Sequence, residues 1–411
     1  MKLFVGLDVS SFDIKVCFLN GDGDQLKSFT TANDLPGATR LRDEILYTVK
    51  DQSVDVLRIG LESTSVYSFH PSMFLHNDSA LRALGAKVFV MNPKQIANFK
   101  KSYSDMDKTD EIDAFVIADY LRFGRLPMSV VKEEQYVALQ QLTRARYQLV
   151  RQVTQEKQRF LQYLEYKCNT FTEEVESSVF GKAMMDLFLE QYSLEELAQM
   201  SLDELAAYLS TKGKNRFDDP EKVAKSIQKA VRSSYRLDKV VEDSIDTILA
   251  TSITVIRTFQ KQIKEIDKSI RSIMAGVPQT LQTVPGIGPV FTAGIIAEIG
   301  QIDRFEDETK IAKYAGLYWR KHQSGRFTAD DTSLSRNGNQ YLRYYLVEAA
   351  NSIRRQIPEY SAYYAKKYQE VPKHQHKRAL ALTARKFVRL VDALLRKNQI
   401  YTPKGALIDE A

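Results

Sequence analysis

Four acidic residues in the first third of the chain stand where carboxylates could bind a metal ion. Asp8 ends one apolar run that predicts a strand, and Glu62 ends another. Asp110 and Asp113 open a predicted helix, and their i, i+3 spacing places both on one face. Four carboxylates brought together repel each other, and Mg²⁺, which prefers oxygen ligands, would relieve that repulsion. The pattern therefore predicts a Mg²⁺ site for phosphoryl transfer, with Mn²⁺ as an alternative ion.

Each carboxylate also has an ordinary structural explanation when it is taken alone. Asp110 could cap a helix, Asp113 could interact with the helix dipole, and Asp8 could form a turn. Glu62 is harder to explain in this way, because it directly follows an apolar strand.

The last third of the chain holds glycine-containing basic segments that suit phosphate. Pro285-Gly286-Ile287-Gly288 is typical of a helix–hairpin–helix module, where the backbone N–H groups at Gly286 and Gly288 would face a nucleic-acid phosphate. An ordinary turn between helices explains the same residues. Two polar loops follow, at 320–326 and 333–339, and their candidate phosphate contacts are Arg320, Lys321, Arg326 and Arg336. The serines of these loops could be no more than hydrogen-bonding caps.

The elements that would position the acidic residues form an α/β pattern over about the first 125 residues. Apolar runs at 3–8, 14–19, 54–61 and 87–91 predict strands, and helical patterns lie between them. An early hairpin followed by strand–helix alternation predicts an α/β domain.

From about residue 133 to 274 the sequence predicts long helices. Apolar residues with steps of 4, 3, 4 and 3 form the seam of a coiled coil: Phe259, Ile263, Ile266, Ile270 and Ile273. Residues 139–164 form a looser partner, and the sequence leaves open whether the two arms pair within one chain or across a dimer. Capping boxes at Ser193 and Ser201 open short helices between the arms.

Composition and charge limit the class of protein. The chain has 411 residues, 44% hydrophobic and 27% charged, which is typical of a folded, water-soluble protein. No stretch is apolar enough to span a membrane, and the N-terminus does not resemble a signal peptide, so we expect a cytoplasmic protein. Two cysteines exclude a disulfide framework or a zinc cluster. Residues 281–411 carry 21 Lys and Arg against 13 Asp and Glu, which suggests a polyanionic partner.

Taken together and in order, these motifs resemble one family. An Asp after the first strand, Glu62-Ser63-Thr64, Lys108-Thr109-Asp110-x-x-Asp113, Pro285-Gly286-Ile287-Gly288 and Gln323-Ser324-Gly325 are similar to those of the insertion-sequence 110 family of transposases, bridge-RNA-guided DEDD/serine recombinases. The resemblance covers about 1–125 and 280–397, and the arms by architecture. It departs at Ser65, where the family usually has glycine.

The resemblance implies a RuvC-like, ribonuclease-H-fold domain whose acidic residues are Asp8, Glu62, Asp110 and Asp113. It also implies a nucleophilic serine in a mainly α C-terminal transposase domain, which maps onto Ser324. The implied partners are a structured guide RNA, target and donor DNA, and further copies of the chain, as a dimer that assembles into a tetramer on DNA. No membrane partner is implied.

We therefore predict a catalytic domain at 1–128, coiled-coil arms at 129–278 with a helical insert at about 170–236, a transposase domain at 279–400 and a tail at 401–411. A metal-only junction resolvase would use the same carboxylates and leave Ser324 as a phosphate contact. An actin-like sugar kinase would need a glycine at Val9 or Ser10. A non-catalytic RNA-binding scaffold would give no reason for four carboxylates.

Overall fold

A computed structural model of the chain describes residues 1–50, 52–63, 66–103, 110–124, 126, 134–319, 323–324, 327–328, 334–335 and 337–403. For five of these residues, 110, 323, 324, 327 and 328, only the backbone is described. The chain divides into two compact units, Met1–Tyr136 with Ile299–Ile311, and Val137–Glu298 with Ala312–Ala411. The four-part division made from the sequence stays a prediction.

The first unit is built on a five-stranded sheet. Its strands are β1 (Lys2–Val9), β2 (Asp13–Leu19), β3 (Gln25–Ala32), β4 (Val56–Glu62) and β5 (Lys87–Met91). Their spatial order is β3-β2-β1-β4-β5. Strands β1, β4 and β5 run parallel, while β2 is antiparallel to both of its neighbours. The α/β architecture predicted for this part is confirmed, and β3 is a strand that the sequence analysis did not predict.

Helices cover both faces of this sheet. They are α1 (Leu35–Thr48), α2 (Phe69–Asn77), α3 (Ser79–Ala83), α4 (Pro93–Lys100) and α5 (Asp110–Phe123). Because side chains alternate along a strand, β1 contributes to two cores. Val5 and Leu7 pack with Leu41 of α1 on one face, whereas Phe4 packs with Ile117 of α5 on the other.

The middle of the chain is helical, as predicted. Its helices are α6 (Glu134–Lys167), α7 (Phe171–Glu174), α8 (Lys182–Leu189), α9 (Leu194–Gln199), α10 (Leu202–Gly213), α11 (Pro220–Ser233) and α12 (Lys239–Met274). The predicted capping boxes are both present, because the Oγ atoms of Ser193 and Ser201 accept from the N–H groups of Glu196 and Glu204, whose side chains accept in return.

The long helices α6 and α12 pair with each other in antiparallel orientation. Arg146 Nε donates to Asp267 Oδ1 at 2.5 Å, and Ser252 Oγ donates to Glu156 Oε1 at 2.6 Å. Further along, Lys167 forms a buried ion pair with Asp246. The two arms therefore pair within one chain. Their apolar residues join those of α7 to α11 in a single core cluster, which gives the insert its own hydrophobic core.

The remaining elements follow α12. They are 3₁₀ turns at Leu281–Thr283 and Ile302–Arg304, helices α13 (Pro289–Ile299), α14 (Glu308–Ala315), α15 (Gln340–Ile353), α16 (Pro358–Gln369) and α17 (Gln375–Lys397), and the short strands β6 (Gln323–Ser324) and β7 (Phe327–Thr328). Tyr345 of α15 is fully buried, and α13 approaches its ring so closely at Gly294 that a Cβ there would overlap it. Within the described ranges, every helix is too short or too polar to cross a bilayer. Cys17 and Cys168 are buried free thiols.

Candidate active site and phosphate-contact residues

Asp8 and Glu62 lie side by side at the carboxyl edge of the parallel strands. In the register of β1 and β4, Gly6 pairs with Gly60 and Leu7 with Leu61, so the next position in each strand is the acidic one. Equivalent positions of neighbouring parallel strands point to the same face, at a strand spacing of about 4.8 Å. Both carboxylates therefore lie on the face of the sheet that carries the two glycines.

Gly6 and Gly60 allow α5 to pack closely against that face of the sheet. A Cβ at Gly6 would overlap the carbonyl oxygen of Ala114 and the backbone nitrogen of Ala118, and a Cβ at Gly60 would lie 2.8 Å from Leu121 Cδ1. Only glycine permits this approach of the helix backbone to β1. Because Asp113 immediately precedes Ala114, the close approach also places Asp113 at the edge that holds Asp8 and Glu62.

The electrostatics of Glu62 show that these three carboxylates share one environment. Burial, followed by the negative charges of Asp8 and Asp113, raises the pKa of Glu62 to about 7. The positive charge of Lys100 acts in the opposite direction, and Lys100 Nζ donates to Asp113 Oδ1 at 2.5 Å. The edge thus concentrates negative charge that one lysine only partly offsets.

The fourth predicted carboxylate, Asp110, is the first residue of α5, and its side chain lies outside the described part of the structure. Among the described residues, no three acidic, histidine or cysteine side chains are gathered tightly enough to hold a metal ion as they stand. The donor set nevertheless fits a hard divalent cation, since it consists of carboxylate oxygens, and burial followed by the charges of Asp8 and Asp113 already raises the pKa of Glu62. Asp8, Glu62 and Asp113 would hold such an ion, and Lys100 would have to release Asp113.

The predicted phosphate hairpin forms an exposed turn before α13. Gly286 has a φ of +88°, a left-handed conformation that favours glycine, while the space around Gly288 is open. The carbonyl oxygen of Gly288 accepts from the N–H and the hydroxyl of Thr292, both at 3.1 Å. The two glycines are exposed where α13 begins, so the turn suits the predicted contact with phosphate.

Ser324 lies on a short ribbon. It ends β6, where its backbone is paired with that of Phe327 in β7, and its side chain lies outside the described residues. Arg320, Lys321, Arg326 and Arg336 lie outside them as well. Ser335, a neighbouring serine, is described, and its hydroxyl oxygen is buried without a hydrogen-bond partner in the described part of the chain. A buried hydroxyl cannot reach a phosphate, so Ser335 is a poor candidate nucleophile.

Models of two known protein families match the chain, one in its N-terminal part and one in its C-terminal part. Residues 5–168 match the DEDD transposase model of the insertion-sequence 110 group. Residues 278–365 match the model described as the transposase IS116/IS110/IS902 family. The chain belongs to the insertion-sequence 110 family of transposases.

Two relatives of this transposase cover almost its whole length, and a third covers about one third of it. An uncharacterized 44.8 kDa protein of insertion element IS116 from Streptomyces clavuligerus is 24% identical, covering 98% of this chain and 96% of that protein. A pilin gene-inverting protein from Moraxella lacunata is 20% identical, covering 97% of each. A transposase for insertion sequence element IS1111A from Coxiella burnetii is 25% identical over 31% of this chain and 33% of its own length. The transposase is accordingly an enzyme that recombines DNA.

Sequence reasoning missed two features that shape the transposase. Lys100 contacts Asp113 only because α4 folds against α5, and no spacing in the sequence singles it out. Glu298 of α13 is fully buried. Arg144 of α6 donates two hydrogen bonds to its carboxylate, from Nε to Oε1 at 2.6 Å and from Nη2 to Oε2 at 2.9 Å. Asn339 Nδ2 also donates to Glu298, at 2.7 Å, and the Asn339 side chain caps α15. This network fixes Asn339 at the start of α15.

Proposed function

We propose that the protein is an RNA-guided DNA transposase whose serine nucleophile works with a carboxylate-bound divalent cation. The observation that carries the proposal is the placement of Asp8, Glu62 and Asp113 at one edge of the sheet, under a helix seated by glycines. The strand order β3-β2-β1-β4-β5, with β2 antiparallel to its neighbours, supports a RuvC-like, ribonuclease-H fold for the first unit.

The four acidic residues, with Asp110 as the fourth, would bind Mg²⁺ through carboxylate oxygens, and Mn²⁺ has the same ligand preference. A cation bound there would make the serine hydroxyl more acidic and offset negative charge on the phosphoryl oxygens. The carboxylates lie together at the edge of the sheet, and in the absence of a cation Lys100 balances part of their negative charge.

The covalent step falls to Ser324. Its Oγ attacks the phosphorus of the scissile phosphodiester and loses its proton, while one bond between that phosphorus and a sugar oxygen breaks and the departing oxygen takes up a proton. The product is a phosphoserine link that conserves the energy of the phosphodiester for rejoining. Support comes from the family match, which spans Ser324, and from the buried hydroxyl of Ser335.

Guide RNA and assembly complete the proposal. The family resemblance implies a structured RNA that selects target and donor DNA, and a dimer that becomes a tetramer on DNA. Ser324 follows Asp113 by 211 residues, which allows a composite site in which one copy supplies the serine and another the carboxylates. Light scattering with RNA and DNA bound tests this assembly, and a purely monomeric particle would exclude the composite site.

The decisive experiment compares Ser324→Ala with Ser335→Ala in a strand-transfer reaction with the guide RNA encoded beside the gene. We expect Ser324→Ala to abolish transfer and the covalent protein–DNA adduct in denaturing gels, with DNA and RNA binding unchanged. Ser335→Ala should retain the adduct. Asp8→Asn should also abolish transfer, because it removes a metal ligand.

A metal-only resolvase predicts a different pattern from the same variants. Cleavage would survive in Ser324→Ala, and the native enzyme would form no adduct. That result would show that the carboxylates cut DNA alone and that Ser324 only contacts phosphate.

A further inference from the structure

The loop that joins β1 to β2 presents a phenylalanine to solvent close to the carboxylate edge. The N–H of Ser10 donates to the carbonyl oxygen of Asp13 at 2.9 Å, so the hairpin closes with a loop of two residues, Ser11 and Phe12. Phe12 is 86% exposed, more than any other large hydrophobic side chain among the described residues. Single exposed apolar side chains are common on protein surfaces, so this exposure assigns no role by itself.

Hydrogen bonds hold this loop in one conformation. Ser10 Oγ accepts from the N–H groups of Phe12 and Asp13, at 3.1 and 3.0 Å, and donates to Asp13 Oδ1 at 2.5 Å. Asn33, just before α1, donates its N–H to the carbonyl oxygen of Phe12 at 2.8 Å, and its Nδ2 to that of Ser10 at 2.8 Å. Because the loop is already ordered, a ligand that packs on Phe12 loses little binding free energy to ordering of the backbone.

Asn33 also joins this loop to a second exposed aromatic residue. The same Nδ2 donates to the carbonyl oxygen of Tyr67 at 3.4 Å, so the two segments lie within reach of one amide group. Tyr67 is 43% exposed. Phe12 follows Asp8 of β1 by four residues, and Tyr67 follows Glu62 of β4 by five. Each acidic strand end is therefore followed by an exposed aromatic residue, and we call Phe12 and Tyr67 the aromatic pair.

The distance from Asp8 to the loop suits a nucleotide close to the one whose phosphate is cut. Two residues of strand, about 7 Å, separate Asp8 from Ser10, where the loop begins. Two base steps of a DNA strand cover about the same 7 Å, at 3.4 Å per step. A DNA phosphate at the carboxylates therefore has neighbouring bases close to Phe12. This step rests on the proposed function, because it takes the scissile phosphate to lie at the carboxylate edge.

The charge of this region favours an uncharged contact with DNA. Asp8, Glu62 and Asp113 lie at the edge, and Lys100 offsets their charge only in part. Residues 1–125 carry 15 Lys and Arg against 17 Asp and Glu. Such a surface repels phosphate wherever no cation is bound, whereas the face of a nucleobase has no net charge. An aromatic ring stacks on any of the four bases, because each of them has a π-face.

We propose that Phe12 and Tyr67 stack on unpaired bases of the DNA beside the scissile phosphate. The two rings hold the strand at the carboxylate edge without reading its sequence. DNA is the source of these bases, because the phosphate to be cut belongs to DNA.

The test separates bases from phosphates. Affinity of the full-length chain is measured in Mg²⁺ for a 20-nucleotide single strand of DNA, for a strand of the same length built from abasic residues, and for an RNA strand of the same sequence. The abasic strand keeps every phosphate and lacks every base. No guide RNA is added, so strand transfer does not occur, and thermal melting verifies that each variant is folded.

Four double variants are compared with the native chain. Phe12→Ala with Tyr67→Ala removes the aromatic pair. The corresponding leucine variant keeps apolar side chains without an aromatic face, and the corresponding tryptophan variant keeps the aromatic face. Tyr47→Ala with Tyr235→Ala is the control, since these rings are 74% and 82% exposed. Tyr47 lies about 20 Å along α1 from Asn33, and Tyr235 lies between α11 and α12.

For the alanine variant we expect affinity for the intact DNA strand to fall about tenfold or more, with affinity for the abasic strand unchanged. The leucine variant should lose nearly as much, because leucine has no π-face to stack on a base. The tryptophan variant and the control should bind like the native chain.

Four results would each overturn the proposal: an equal loss on the intact and abasic strands, an equal loss in the control, a loss confined to the RNA strand, or native affinity in the leucine variant. The last result would show that the two side chains form a general apolar contact, as in a protein interface. Since no strand transfer is measured, failure here leaves the proposed serine chemistry untouched. Cleavage by Ser324→Ala would likewise leave the stacking result unchanged.

Discussion

Acidic side chains are shielded from water both at the carboxylate edge of the sheet and in the polar network around Glu298. The two regions differ in how far hydrogen-bond donors and positive charges balance those carboxylates. Glu298 is fully buried and receives hydrogen bonds from Arg144, Gln140 and Asn339. Glu62 is half-buried between the charges of Asp8 and Asp113, and its pKa is raised to about 7. A buried carboxylate whose charge is balanced by donors, such as Glu298, contributes to the stability of the fold. A carboxylate whose charge is only partly balanced, such as Glu62, would still be able to bind a cation.

The largest effect is expected from Glu298→Ala. This change would leave the guanidinium of Arg144 without its carboxylate partner and remove a hydrogen bond from Asn339, the residue that caps α15. Breaking a buried ion pair from one side costs about 3–5 kcal/mol of unfolding free energy, and since the Arg144 side chain is 36% exposed and keeps part of its hydration, we expect the lower end of that range, about 3 kcal/mol. Denaturant unfolding should show this loss, while the exposed Glu265→Ala on α12 should change stability by less than about 0.5 kcal/mol. A small change in unfolding free energy for Glu298→Ala would mean that the hydrogen bonds to Glu298 contribute little to the stability of the fold.

The next largest effect is expected from Gly6→Ala, which forces α5 away from β1. The added Cβ would meet backbone atoms of Ala114 and Ala118, which cannot rotate aside, so we expect a loss of about 2–3 kcal/mol. The same shift would move Asp113 away from Glu62 and lower the pKa of Glu62 toward its usual value. NMR titration of the Glu62 carboxyl group measures this, with Gly21→Ala as a control, because its Cβ would make only ordinary contacts. An unchanged titration in Gly6→Ala would show that Asp113 does not act on Glu62.

Glu62→Gln should stabilise the metal-free protein above neutral pH. A folded pKa near 7, above the usual 4.5, means that the folded state holds a proton which the unfolded state releases. Stability is then full below about pH 4.5 and is lost as the pH rises toward 7. After allowance for partial exposure, the glutamine variant should gain about 1–2 kcal/mol at pH 8 and little at pH 5. Unfolding in EDTA at the two pH values tests this, and equal gains at both would contradict it.

The smallest effect is expected from Lys100→Met. Its ammonium group contacts Asp113 at 2.5 Å in a partly exposed pair, so its removal should cost about 0.5–1 kcal/mol. Because Lys100 also opposes the raised pKa of Glu62, the variant should recover more stability from Mg²⁺ than the native protein does. Thermal melting with and without Mg²⁺ measures the difference. If the two proteins respond equally, Lys100 does not compete with the cation.

Regular local patterns made much of the sheet unit predictable. Strands β1 and β4 are largely apolar runs with an acidic residue at the last or second-to-last position, and their parallel pairing follows from strand–helix alternation, so the proximity of Asp8 and Glu62 could be expected. Strand β3 was missed because Gln25–Ala32 is mostly polar and exposed, and is held in the sheet by its ladder with β2. The capping boxes at Ser193 and Ser201 were predictable because each lies within four consecutive residues.

Long-range polar contacts were beyond the sequence. Arg144 and Glu298 are 154 residues apart, and Glu298 lies in a mostly apolar helix where no neighbouring residue indicates its partner. The sequence also left open whether α6 pairs with α12 of the same chain. A heptad pattern indicates that a helix packs against another helix, but it does not indicate which one. Residues such as Ser324 were singled out by motif alone.

The antiparallel pairing of α6 and α12 also has a mechanical consequence. Thirty-six residues of α12 extend about 54 Å at 1.5 Å per residue, and the insert sits at the far end, between Lys167 and Lys239. A tilt of about 10° at the base of this rod would sweep the tip through about 9 Å, nearly half the width of a DNA duplex. The length of the paired helices therefore means that any small rotation at one end would become a larger displacement of the insert at the other.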